Sequence, residues 1–239
     1  MLKKNKITFI IAIIIIMNFK FLFCQVIETI SVEFIREYKE DKKTEIIKGI
    51  INYQAPSKTF IKVTYPINQW MILNEMEMVI YYPDEKKAFR ITTNISNAFS
   101  MPFFQAFLGV IKDDFGLSEL GYSMYSYKVK DSVLTSCWNP PKNLSKLLGN
   151  IILEYTENKI INVELLNPKG KILSRSSYRN HILYGATYFP LEVCTTKNFI
   201  SCSSIEKIIF KNPLFNSPLP KEVIGFKIPS DISVKEIKW

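Results

Sequence analysis

The stretch Glu75-Met76-Glu77-Met78-Val79-Ile80-Tyr81-Tyr82-Pro83-Asp84 puts Met76, Met78, Ile80 and Tyr82 on one side of an extended chain and Glu75, Glu77 and Val79 on the other. Successive side chains of a strand point to opposite faces, so this alternation predicts a β-strand with one greasy face and one wet face. Pro83, Asp84 and Glu85 then supply turn residues that stop it.

The same pattern continues outward. Towards the N-terminus, Val32 and Phe34 mark one strand, Ile47, Ile51 and Tyr53 a second, and Ile61, Val63 and Tyr65 a third. Polar or proline punctuation separates them at Glu40 to Lys43, Pro56-Ser57 and Pro66 to Gln69. Short alternating runs between such turns predict an antiparallel meander from Ser31 to Ile91. Met101 to Ile111 departs from the pattern. Phe103, Phe104, Phe107, Leu108 and Ile111 recur at helical spacing behind Pro102, which predicts a short, strongly apolar helix ended by Asp113-Asp114-Phe115-Gly116. Alternation returns at Tyr122 to Cys137, Ile151 to Tyr155, Lys159 to Leu166, Lys171 to Tyr178, His181 to Tyr188 and Ile205 to Phe210. A turn is predicted at Asn167-Pro168-Lys169-Gly170, a helical turn at Asn143 to Leu148, and a proline-rich crossing at Pro213 to Pro220. With no internal repeat and no low-complexity linker, residues 25–239 read as one domain.

The first 24 residues form a segment of their own. Lys3, Lys4 and Lys6 precede the charge-free run Ile7 to Met17, a basic region followed by an apolar core shorter than the ~20 residues that span a bilayer. This predicts an export signal and a periplasmic location. Cys24 is either the acylated first residue of a lipoprotein, behind a loose Leu22-Phe23-Cys24 lipobox, or the last residue removed by an ordinary signal peptidase; an uncleaved anchor is the third alternative. Cys194 and Cys202 flank the polar turn Thr195 to Ser201, and a disulfide between them would suit an oxidising compartment. Cys137 reads as a buried apolar thiol.

Of the formal net charge of +9, four lysines belong to the first 24 residues, and the remaining lysines are scattered. No basic stripe interleaved with aromatics is present, so nucleic acid is not expected as a partner. Catalytic groups are scarce. The chain has a single histidine, His181, and 8 glycines, with no nucleophile elbow, Cys-x-x-Cys pair or phosphate-cradling loop. His181 is read as structural and Asp113-Asp114 as a solvated helix end. No metal, cofactor or enzymatic activity is expected. In abundance instead are apolar residues, 47% of the chain, with 17 Phe and 12 Tyr. A greasy sheet face covered incompletely by one helix would leave a concave apolar cavity suited to a lipid, with Met76 and Met78 as adaptable lining.

Six short groups of residues, three towards each end of the chain, carry a resemblance to a known family. Gly49 to Pro56, Lys58 to Pro66 and Met76 to Asp84 resemble the opening strands of the periplasmic outer-membrane lipoprotein carrier LolA and its relatives. Ile205 to Phe210, Asn212 to Asn216 and Phe226-Lys227-Ile228-Pro229 are similar to that family's closing strand, link and final Phe-x-x-Pro. The middle of the chain shows no visible match. The resemblance implies a mainly β fold with a few helices: an unclosed antiparallel β half-barrel, covered by short helices, enclosing an apolar cavity for the acyl chains of lipoproteins. It also implies hand-off from an inner-membrane release machine to an outer-membrane acceptor. Two departures stand out. The family's arginine before the proline falls at Ala55, and the family's leading helix has no counterpart ahead of a strand that starts so soon after Cys24.

The expected function is therefore a monomeric, periplasmic carrier that shields acyl chains of lipoproteins or another lipid. The alternative is a membrane-anchored acceptor of the same superfamily, or an envelope interaction protein with a filled core. Face alternation nominates Phe34, Ile51, Tyr53, Ile61, Val63, Met76, Met78, Ile80, Phe103, Phe104, Phe107 and Leu108 as lining the cavity.

Overall fold

The computed structural model describes residues 27–74, 76–93, 114–198 and 203–238. The segment 1–24 with Cys24, the expected Met101 to Ile111 helix with Phe103, Phe104, Phe107 and Leu108, and Cys202 lie outside the described residues. Among the described residues no helix is long and apolar enough to cross a membrane.

The chain runs through two meanders. The first comprises β1 (Thr29–Glu40), β2 (Lys43–Gln54), β3 (Lys58–Tyr65), β4 (Gln69–Leu73), β5 (Glu77–Tyr82) and β6 (Lys87–Thr92). The second comprises β7 (Ser123–Lys130), β8 (Val133–Asn139), β9 (Ile151–Thr156), β10 (Lys159–Leu166), β11 (Ile172–Tyr184), β12 (Thr187–Asn198) and β13 (Ser203–Phe215). A short helix α1 (Lys221–Ile224) and β14 (Val234–Lys238) follow. Antiparallel pairing of β1 with β13 joins the meanders into one unclosed sheet, in the order β14-β6-β5-β4-β3-β2-β1-β13-β12-β11-β10-β9-β8-β7. All neighbours are antiparallel except β14, which lies parallel to β6.

Several expectations need correction. Lys171 to Tyr178 and His181 to Tyr188 are not two strands: β11 runs through both to Tyr184, and the reversal comes at Gly185, whose φ of 59° suits a residue without a side chain. The partner strand β12 and the short strand β4 were not singled out by alternation. β12 carries Pro190 inside the strand, where alternation reading demotes it; β4 is apolar without a break from Trp70 to Leu73 because both of its faces are covered. The outer face of the first meander is not wet. Phe60, Ile72 and Val79 are buried there against Val223, with Phe226 and Ile228 packed alongside. Trp70 stacks on Phe226 with ring centroids 4.8 Å apart, and Lys62 pairs with Glu222 at 3.7 Å. The C-terminal segment is thus a strap across the outside of the half-barrel, ending as the added strand β14.

The inner face holds the main core. Ile30, Val32, Ile51 and Ile61 from the first meander meet Leu153, Phe189, Val193 and Ile208 from the second, all nearly inaccessible to water. The curvature that brings the two inner faces together is what lets a single sheet bury this much apolar surface, the main stabilising term of the fold.

Candidate functional site

Polarity changes along the inner face. On β1 the inward residues run Ile30, Val32, Phe34 and then Arg36; on β13 they run Phe210, Ile208 and then Glu206; on β12 Val193 is followed two pairs later by Lys197. Core side chains fill one end of the half-barrel. At the other end the inner face opens into a cleft of about 820 Å³, within the range of ordinary ligand sites.

The apolar wall of the cleft comes from Phe34, Ile47, Val63, Met71, Met78 and Ile80. Its mouth is set by Ile46 and by Tyr65, Pro66 and Ile67 at the end of β3. Ile46, Tyr65 and Ile67 are large apolar groups exposed to solvent, so the greasy surface continues outward from the cleft. Gly49 explains the depth at the Phe34 position. It faces Phe34 across the β1–β2 pair, and a Cβ there would come within 2.3 Å of the Lys62 carbonyl oxygen and 2.9 Å of the Phe34 ring.

One patch of the cleft is charged. The Glu206 carboxylate, only 4% exposed, accepts the Arg36 Nε on one oxygen and lies 3.3 Å from the Lys197 Nζ on the other. The register makes this meeting inevitable: Glu206 sits opposite Tyr38 on β1 and Thr195 on β12, which places Arg36 and Lys197 one diagonal step away on either side. Arg36 also stacks over the Tyr38 ring at 5.4 Å. The sequence reading missed this cluster. The period-two alternation that carries Phe34 and Ile208 inward carries Arg36 and Glu206 inward as well, and that was the available signal.

The residues nominated from sequence divide into groups. Phe34, Val63, Met78 and Ile80 line the cleft together. Ile51, Tyr53 and Ile61 lie on the same face but deep in the core, away from the cleft. Tyr53 donates a hydrogen bond to the Pro56 carbonyl at 3.0 Å, and burial, reinforced by Glu119, pushes its hydroxyl pKa up. Met76 is 51% exposed, just before β5 begins, and does not line the cleft. Cys194 is a free thiol on β12, opposite Lys207 on β13; Cys202, the other half of the expected disulfide, lies outside the described residues. Cys137 is also a free thiol, half-buried on β8.

The remaining chemistry-bearing groups are engaged locally. His181 Nε2 donates to the Ile160 carbonyl at 2.8 Å, and burial holds the imidazole pKa below its ordinary value. Asp114 accepts the Gly116 and Ser118 amides at 2.9 and 3.0 Å; burial would raise its pKa, but these hydrogen bonds outweigh it and lower it. It stabilises the loop leading into β7.

No protein-family model matches the chain, and no curated protein matches it in sequence. Solved structures do match in fold. A DUF1329 family protein from Desulfovibrio piger superposes with a TM-score of 0.62 at 11% identity, covering 83% of this chain and 90% of that one. A LolA superfamily protein from Nitrosomonas europaea gives 0.56 at 10% identity, over 82% and 89% of the two chains. A domain classed with outer membrane lipoprotein-sorting proteins, from Vibrio parahaemolyticus, gives 0.57 at 10% identity, over 81% and 88%. At these identities the likeness is one of architecture, and it agrees with the strand, turn and proline motifs at both ends of the chain: the protein has the LolA-like fold.

Proposed function

We propose that the protein binds acyl chains in the cleft at the open end of its half-barrel and shields them from water in transit, as a carrier of lipoproteins bound for the outer membrane. The observation that carries this reading is the cleft itself, walled by Phe34, Val63, Met71, Met78 and Ile80 and opening through exposed apolar residues. Each methylene moved from water into such a wall contributes ~0.8 kcal/mol, so a chain of ordinary length would be held tightly and released reversibly, with no covalent step and no enzymatic chemistry. The unbranched thioethers of Met71 and Met78 suit cargo of variable shape. The fold is shared with a domain classed with lipoprotein-sorting proteins, which supports lipoproteins as the cargo. A periplasmic location, a donor at the inner membrane and an acceptor at the outer membrane belong to the same proposal.

One observation favours a second reading. Ile51, Ile61, Leu153 and Phe189 already fill the centre of the half-barrel, as they would in an envelope interaction protein with no ligand. Native mass spectrometry of protein purified from envelope extracts, followed by incubation with a diacylated lipopeptide, separates the two. The carrier reading expects an acylated species that co-purifies or is taken up saturably. It also expects Ile80→Glu to abolish uptake while the circular dichroism spectrum is kept, because a carboxylate in the apolar wall has no partner. An apo mass before and after incubation would refute it.

A further inference from the structure

The charged patch gives the cleft a preference that an apolar pocket alone would lack. Arg36, Lys197 and Glu206 all line the cleft, and among the described residues two cations share one carboxylate. Glu206 is 4% exposed, Arg36 21% and Lys197 24%, so the surplus positive charge sits where water reaches it poorly. Glu206 engages the guanidinium at Nε, and among the described residues Arg36 has no other hydrogen-bond or ion-pair partner, only the face of the Tyr38 ring. Its two terminal nitrogens therefore offer donors in a fixed planar fork, the geometry that grips a phosphate or carboxylate. The fourth charged residue of the cleft, Glu45, is exposed at the rim, where solvent and salt screen it. Polar and apolar surfaces are also ordered in space: Phe34 precedes Arg36 by one inward step on β1, so a ligand whose tail lies on Phe34 and Met78 has its head at Arg36.

We propose that the cleft selects amphiphiles with an anionic head, phosphate or carboxylate, held by Arg36 and Lys197 while the alkyl tail lies along Phe34, Val63 and Met78. This rests on the lipid-binding reading above and adds the head-group class to it. A surplus cation of low exposure, relieved by an anion on the ligand, forms charge-assisted hydrogen bonds that a neutral head cannot.

The test is displacement of a neutral solvatochromic alkyl probe from the purified protein by hexadecyl phosphate, hexadecanol and hexadecyltrimethylammonium, each below its micellar concentration. The phosphate is expected to bind about tenfold more tightly than the alcohol, the increment of one charge-assisted contact, and the ammonium more weakly than either. Lys197→Met leaves Arg36 and Glu206 as a balanced pair and should shrink the phosphate-to-alcohol ratio. Glu206→Gln removes the competing carboxylate and should enlarge it. Opposite shifts from two neighbouring substitutions are not expected of a cluster that is merely structural. Equal affinity for the three heads, or a ratio that neither variant moves, would overturn the inference while leaving the acyl-binding reading intact. Inorganic phosphate that competes with hexadecyl phosphate at equal or lower concentration would also overturn it, by assigning the patch to a free anion to which the tail adds nothing. Failure of every long-chain compound to displace the probe would remove both readings together.

Discussion

Replacing Gly49 by alanine tests the connection between the tight β1–β2–β3 packing and the cleft. The added Cβ would lie 2.3 Å from the Lys62 carbonyl oxygen, 2.9 Å from the Phe34 ring and 3.0 Å from the Val63 Cα. Two of these are backbone atoms in the middle of a sheet that is hydrogen-bonded on both sides, so β3 must move by a good fraction of an ångström. Overpacking of this kind costs ~1–3 kcal/mol, and the contact with backbone argues for the upper part of that range. Alanine opposes the loss through the unfolded chain, whose entropy falls by the equivalent of ~0.4–1 kcal/mol. The net expectation is a destabilisation of about 2 kcal/mol, which for a domain of this size is a fall in Tm of roughly 4–8 °C. Thermal melting followed by circular dichroism measures it directly. The strand must move at Val63 and the ring at Phe34, both in the cleft wall, so Gly49→Ala should also weaken uptake of an alkyl probe at temperatures where the protein remains folded. An unchanged or raised Tm would refute the packing argument.

Three further outcomes follow from the same structure. Phe189, 1% exposed and packed with ring centroids 5.4 and 5.6 Å from Phe210 and Phe215, should cost ~3–5 kcal/mol as Phe189→Ala in denaturant unfolding; a loss below that of an exposed site would place the core elsewhere. Phe226→Ala, which removes the ring stacked on Trp70, should cost about 2 kcal/mol and loosen the strap, read as faster amide exchange in β14 and β6; unchanged exchange there would show that β14 is held without it. Burial holds the His181 pKa below its ordinary value, so below that value the unfolded state binds more protons than the folded one. Stability contributed by the neutral ring is therefore complete above a pH of about 6.5 and declines as the pH falls through the depressed folded value. The denaturation midpoint measured across that interval should fall more steeply in the native protein than in His181→Gln, and identical slopes would contradict the assignment.

Local periodicity is a property of the chain itself, and it carried far. Alternation at Val32-Phe34, Ile47-Ile51-Tyr53, Ile61-Val63 and Met78-Ile80 identified strands and their inward faces correctly, because a strand's side-chain period of two is imposed by covalent geometry. The turns at Glu40 to Lys43, Pro56-Ser57, Pro83 to Glu85 and Asn167 to Gly170 were legible for the same local reason: proline, glycine and short polar residues act on the backbone next to them. The motifs at the two ends pointed to the fold that superposition then showed.

What tertiary structure decided was depth and company. Ile51, Ile61 and Phe34 share one alternating pattern, yet Ile51 and Ile61 are sealed by Leu153 and Phe189 arriving from the second meander, while Phe34 borders the open cleft. Nothing within β1 to β3 distinguishes them, since the covering atoms lie more than ninety residues away in the chain. Val79 was assigned to a wet face on the pattern of its neighbours Glu75 and Glu77, and it is buried because the C-terminal strap returns across it. Glu206 and Arg36, 170 residues apart, meet only because β1 pairs with β13 in one register. The sequence by itself determined which residues face inward, through the local stereochemistry of extended chain; the pairing of distant strands decided which of those residues become core, which line the cleft, and where its charge lies.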